Sequence, residues 1–170
     1  MSDVITAVKG QAVALSHEQD ISFTVGELLK RINILMKHEL KNALIDLNTS
    51  ILVPTSLSIK GNINSLVQVI NNIISNAIQA YNGKTNKNID FIVKMKENNL
   101  IFSIQDYGCG MPKKVQDKLF KEMITTKGKN GTGLGLFMSY SNIRAHFNGN
   151  MSFESTGGKG TRFDITIPLN

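Results

Sequence analysis

The chain has 170 residues, 41% hydrophobic and 19% charged, which suits one globular domain with a full core and is too short for two. No apolar run approaches the roughly 18 residues that cross a membrane, and no basic start with an apolar core marks a secretion signal. The formal charge of +6 is spread over scattered lysines with few aromatics, so the expectation is a solvated basic surface and no nucleic-acid partner. One cysteine, Cys109, excludes an internal disulfide and fits a reducing, cytoplasmic setting.

Residues 1–22 carry a weak helical period through Val4, Val8, Ala12 and Leu15, then a polar stretch, and read as the tail of a preceding helix or linker. From Phe23 the period strengthens, with Val25, Leu28, Leu29, Ile32, Leu35 and Met36 on one stripe. Ala43, Ile45 and Leu47 alternate as a strand would, and Leu57 and Ile59 suggest a short second strand. A helix is predicted from about Ser65 to Tyr81, ended by Asn82-Gly83. Ile89, Phe91, Val93 and Met95, a turn at Asn98-Asn99, and Leu100, Phe102 and Ile104 together predict a hairpin.

Pro112 suits the first residue of a short helix running toward Phe120. Residues 121–133 are rich in Lys, Gly, Thr and Asn and read as a mobile loop. Leu136, Tyr140, Ile143 and Phe147 restore a helical stripe. A second hairpin closes the chain: Met151 to Ser155, a glycine turn, then Phe163, Ile165 and Ile167 up to Pro168. The simplest packing is an α+β, two-layer α/β sandwich, with helices on one face of a mixed, mostly antiparallel sheet.

Three parts of this pattern carry chemistry. On a wheel of about 100° per residue, Ser65, Gln68, Asn71, Asn72, Ser75, Asn76 and Gln79 fill one half of the 65–81 helix with no charge. A solvated face normally carries Lys and Glu, and Asn is a poor helix former. Amide oxygens suit Mg²⁺ that keeps its waters and a nucleotide's phosphates. An ordinary amphipathic helix in an Asn-rich chain is the equal alternative. Asp106 shares parity with Leu100, Phe102 and Ile104, so its carboxylate faces the core side and needs donors. A purine amine and a backbone amide both qualify. Gly108 and Gly110 then let a flat base lie close to the chain, or simply make a turn.

Gly131-Thr132-Gly133-Leu134-Gly135-Leu136 leads into the last helix, where backbone N–H groups and the positive dipole end face phosphate. No Gly-Lys-Ser/Thr follows and no βαβ unit precedes it, which excludes Walker and Rossmann loops. Thr125, Thr126 and Lys127 are placed to offer hydroxyls and an ammonium to a terminal phosphate, although Lys127 alone reads as a solvated loop lysine.

In order and spacing these segments resemble the Bergerat-fold superfamily of DNA gyrase, heat-shock chaperone, mismatch-repair ATPase and histidine kinase. They are most similar to the catalytic, ATP-binding domain of two-component sensor histidine kinases. Gln68 to Ala77 looks like the N box, Leu119-Phe120 through Gly128 like the F box, and the glycine runs, including Gly158-Lys159-Gly160-Thr161, like the glycine boxes. The likeness covers about residues 23–170. It implies that Asn76 coordinates Mg²⁺, that Asn72 supports the phosphates or metal, and that Asp106 reads the adenine amine. It also implies that Gly108, Gly110, Gly131, Gly133 and Gly135, with Leu134 and Leu136, shape the pocket and lid. Thr161 then lies near the base or supports Asp106.

The hydrolytic branches usually have glutamate where Asn72 stands; Asn cannot act as that base, so phosphoryl transfer is expected rather than hydrolysis. Asn72 and Lys127 are the expected catalytic positions. The pattern departs at Gln79 (often Lys), at Met123-Ile124 (often aromatic) and at Asn62 (often Asp). By the same resemblance the acceptor histidine sits on a separate dimerisation domain, with a response regulator downstream. His38 in His38-Glu39-Leu40-Lys41-Asn42 is rejected as acceptor, because only two presumed strands separate it from the asparagine helix. His17 and His146 read as solvated. The expectation is a piece of a larger sensor kinase, binding Mg-ATP but hardly phosphorylating itself. An anti-sigma-factor-type serine kinase and a non-catalytic nucleotide module are the competing readings.

Overall fold

The computed structural model describes residues 21–120 and 133–169, without the side chains of residues 133 and 134. Strand β1 (Ser22–Thr24) pairs antiparallel with β3 (Ser58–Lys60) beside the main body. Helix α1 (Val25–Ala43) is N-capped by Thr24, whose hydroxyl accepts the Glu27 amide at 3.1 Å, and Glu27 adds charge to the first turn. Val25, Leu28, Ile32 and Met36 are buried, while Leu35 at the edge of the expected stripe is 58% exposed.

The expected strand at Ala43 begins later. Ala43 is the last helical residue, Leu44 turns the chain in a left-handed conformation, and β2 runs Ile45–Ile51. Parity alone does not register a helix that overruns into an alternating stretch. Helix α2 (Ile63–Gln79) is capped by Asn62, whose side chain accepts the Asn64 amide at 2.8 Å. Asn and Asp cap equally well, so the departure at position 62 keeps this role. Seven apolar residues from Leu66 to Ala77 are buried, each worth about 1.5–3 kcal/mol for the larger ones.

Both hairpins form. β4 (Lys87–Lys96) and β5 (Asn99–Gln105) turn at Glu97-Asn98, one residue earlier than expected, because Asn99 already pairs with Lys96. β6 (Asn150–Thr156) and β7 (Gly160–Pro168) form the second. Pro112 caps the short α3 (Lys113–Lys118) rather than opening it, and α4 spans Gly133–Phe147.

The five-stranded sheet has the order β2-β4-β5-β7-β6, with β2 parallel to β4 and the other neighbours antiparallel. The β2-to-β4 crossover passes through α2, as a parallel pair requires. Helices α1, α2 and α4 lie side by side on one face: α1 over β2, α2 over β4 and β5, α4 over β6 and β7. Between the layers sit Ile89, Phe91, Val93, Leu100, Phe102, Ile104, Ile165 and Ile167. The architecture is the expected α+β sandwich. Among the described residues, no helix is long and apolar enough to cross a membrane.

Candidate nucleotide-binding site

Three inward-facing ladders of the sheet end in polar residues at the same corner. The β5 ladder of Leu100, Phe102 and Ile104 ends at Asp106; Phe163, Ile165 and Ile167 share parity with Thr161; Met151 and Phe153 share it with Ser155. Asp106 is 4% exposed. Its Oδ1 accepts the Gly108 amide at 2.9 Å and the Thr161 amide at 3.3 Å. Ser155 supports Thr161, their hydroxyls 2.8 Å apart, and accepts the Met111 amide at 2.8 Å. Burial pushes the Asp106 carboxyl above its ordinary range, partly offset by those two amides. Of the two donors the sequence left open, backbone amides take Oδ1. Oδ2 has no hydrogen bond among the described residues and remains available to an outside donor.

The first glycine loop is packed against α2. A side chain at Gly108 would place its Cβ 2.5 Å from the Ala80 carbonyl oxygen, the same oxygen that accepts the Cys109 amide at 3.1 Å. Gly110 has φ +71° and faces Thr156. These glycines therefore serve the chain's own close packing, whatever they also offer a base. The loop joins Asp106 to the end of the asparagine helix.

The polar half of α2 is divided between two neighbours. Ser75 donates to Glu39 of α1 at 3.1 Å, whereas the Asn72 amide donates to the buried Ser139 of α4 at 3.2 Å. A face between two helices has no need of Lys or Glu, which explains its lack of charge. Asn76 is half-buried, and its Nδ2 is buried with no partner among the described residues. That unsatisfied amide fits an external ligand: a donor for a phosphate oxygen beside a neutral oxygen for a hard cation. No group of three His, Cys, Asp or Glu side chains forms a metal cage among the described residues. Magnesium that keeps its waters and binds through phosphates needs none.

The second glycine run differs from its expected form. Rather than a loop before the helix, Gly133, Leu134, Gly135 and Leu136 are the first turn of α4, and Leu136 is buried in the core. Gly135 lets this turn approach α2, since a Cβ there would lie 2.8 Å from Asn72 Nδ2. Thr125, Thr126, Lys127 and Gly131 lie outside the described residues. Phe120 stacks on Tyr140 with centroids 4.8 Å apart and meets Phe153 and Phe163 edge-on. It is thereby pinned between α4 and the last hairpin.

His38 lies on α1 away from the Asp106 loop, whereas His146 lines the cleft between α2 and α4 together with Asn72 and Ser139. Both are exposed, and His38 Nε2 lies 3.1 Å from the Asn42 amide on its own helix. His17 lies outside the described residues. Sequence reasoning missed Ser139 and Ser155. Cross-strand parity placed Ser155 on the inner face, but nothing local marked Ser139.

Residues 61–170 match the family described as Histidine kinase-, DNA gyrase B-, and HSP90-like ATPase. The chain belongs to this family. Sporulation kinase A of Bacillus subtilis (strain 168) is 31% identical over 169 residues, covering 99% of this chain and 26% of the relative. Sporulation kinase C of the same organism is 30% identical over 171 residues, covering 99% of this chain and 37% of the relative. The chain thus spans well under half of either relative. The nucleotide-free catalytic domain of histidine kinase ThkA superposes with a TM-score of 0.75 at 25% identity, covering 87% of this chain and 96% of that one. The chain is an ATP-binding catalytic domain of the histidine kinase type.

Proposed function

We propose that this domain binds Mg-ATP in the corner between α2 and the first glycine loop and presents the γ-phosphate to a histidine on a dimerisation domain of a larger kinase. The observation that carries the reading is Asp106: a buried carboxylate with one oxygen held by backbone amides and the other unengaged. Such a group is costly unless an outside donor completes it, and the six-amino group of adenine is the donor that fits. Asn76 supplies the amide oxygen for magnesium and Asn72 steadies the phosphates, with Lys127 and the two threonines before it at the terminal phosphate. Thr161 acts by holding Asp106. Magnesium, when bound, neutralises charge on the transferring phosphoryl group.

Asn72 is tied to Ser139 and has no basic lone pair with which to activate water, which favours transfer over hydrolysis. The domain comprises residues 23–170, with the preceding segment linking it to the histidine-bearing helices. A response regulator receives the phosphoryl group next, on the cytoplasmic side where ATP is available. Titration calorimetry with ATP, with and without Mg²⁺, tests the reading, followed by label transfer from γ-labelled ATP to a separately supplied histidine-bearing domain. Asn76→Ala is expected to lower affinity about tenfold, mainly in the presence of Mg²⁺. The site assignment fails if Asn76→Ala leaves affinity unchanged, and the kinase reading fails if label stays on ATP or settles on His38.

A further inference from the structure

The peptide unit between Asp106 and Tyr107 is gripped at both ends. Its carbonyl oxygen accepts the Gln105 side-chain amide at 2.8 Å. Its N–H donates to the Tyr81 hydroxyl at 2.9 Å. Tyr81 follows the end of α2, is 3% exposed, and donates in turn to the Asn88 carbonyl of β4. One hydroxyl therefore bridges the asparagine helix, the β4 strand and the residue after the buried aspartate. Gly160, at φ +120°, leaves room for the same carbonyl, since a Cβ there would lie 2.1 Å from the Asp106 oxygen. The Tyr107 ring is held too, by a hydrogen bond from its hydroxyl to Asp90.

This clamp bears on the carboxylate through the chain. Oδ1 is held by the Gly108 amide, and Gly108 follows directly on the clamped unit. Tilting that peptide carries the Gly108 amide away and leaves Oδ1 on the longer 3.3 Å bond from the Thr161 amide alone, about which the carboxylate can turn. The direction of Oδ2 is set by which amides hold Oδ1, so the clamp sets where Oδ2 points.

We propose that Tyr81 and Gln105 are positioning residues for nucleobase selection, fixing the Asp106–Tyr107 peptide so that Asp106 Oδ2 faces the six-amino group of the purine. The proposal rests on Asp106 as the base reader and adds the device that aims it. Neither residue touches the nucleotide, and both act through Asp106. A residue that merely stabilised the fold would weaken all nucleotides alike, whereas an aiming device affects only those carrying the amine.

The test compares binding of ATP and inosine triphosphate, which has an oxygen in place of the amine, to the 170-residue chain, Tyr81→Phe, Gln105→Ala and Asp106→Asn. The unmodified chain is expected to prefer ATP and Asp106→Asn to lose that preference. Tyr81→Phe removes the hydrogen bonds to the Tyr107 amide and the Asn88 carbonyl and should lower ATP affinity about five- to twentyfold, with inosine triphosphate affinity changed by less than about twofold. Gln105→Ala should move the ratio the same way by a smaller factor. Equal losses for both nucleotides in Tyr81→Phe, or an unchanged ratio, overturn the positioning role while Asp106 remains the reader. No preference in the unmodified chain, or one that survives Asp106→Asn, overturns the base-reading assignment and this proposal with it. Should Tyr81→Phe fail to fold, Gln105→Ala carries the comparison from the exposed sheet face, and an unchanged ratio there overturns the proposal.

Discussion

Gly135→Ala separates what a residue does for the fold from what it does for the site. The new Cβ would lie 2.8 and 2.9 Å from the two polar atoms of the Asn72 carboxamide, about 0.6 Å inside ordinary contact. The atoms in the way are the tip of a side chain, so the clash is relieved by swinging Asn72 off Ser139. That costs one hydrogen bond, about 0.5–1.5 kcal/mol. Replacing glycine by alanine inside a helix returns about 0.5–1 kcal/mol. Net stability should stay within about 1 kcal/mol, a melting shift of no more than about 4 °C for a domain of this size. The displaced amide no longer supports the phosphates, and ATP affinity should fall about tenfold. Scanning calorimetry and titration calorimetry on the same preparation measure both quantities. A melting loss of 10 °C, or an unchanged ATP affinity, would refute the argument that Asn72 is a mobile tip serving the site.

Asp106→Asn should move stability and binding in opposite directions. Burial raises the Asp106 carboxyl above its ordinary 3.8, so the folded chain holds that proton more tightly than the unfolded one. Its contribution to stability is fully present below 3.8 and is lost as pH rises through the raised folded value. At pH 7 the variant no longer carries a buried charge, so in the absence of nucleotide it should melt no lower than the parent, with the difference closing toward acid; ATP affinity should fall about tenfold or more. A lower melting temperature at pH 7 would contradict this assignment of costs. Phe120→Ala removes the ring stacked on Tyr140 and should destabilise by about 2–3 kcal/mol, less than a fully buried ring because Phe120 is half-buried. Urea denaturation with an unchanged slope checks it, and a loss below about 1 kcal/mol would mean that the cluster does not anchor this end of the chain.

Helix α2 and both hairpins were legible because their signals are local: a 3.6-residue period from Leu66 to Ala77 and alternation in β4, β5 and β7. Asp106 stood out for the same reason, a charged residue at the end of an apolar ladder. Errors came where a local rule met a non-local fact. Ala43 alternates with Ile45 yet belongs to the preceding helix, and Gly133 and Gly135 look like a loop yet form a helical turn. That turn buries Leu136 in the core and passes close to Asn72, and no window of sequence contains either partner.

What the sequence determined by itself is therefore the class of fold, the element list and the chemical inventory of amides, carboxylate and glycines. The tertiary structure alone decided how that inventory is shared out. It turned Ser75 toward α1 and Asn72 toward α4, set Ser155 opposite Thr161, and laid the Tyr81 hydroxyl against the peptide that follows Asp106. Period and parity say which face a side chain occupies. Strand register and helix packing, summed over contacts distant in the chain, say what that face meets.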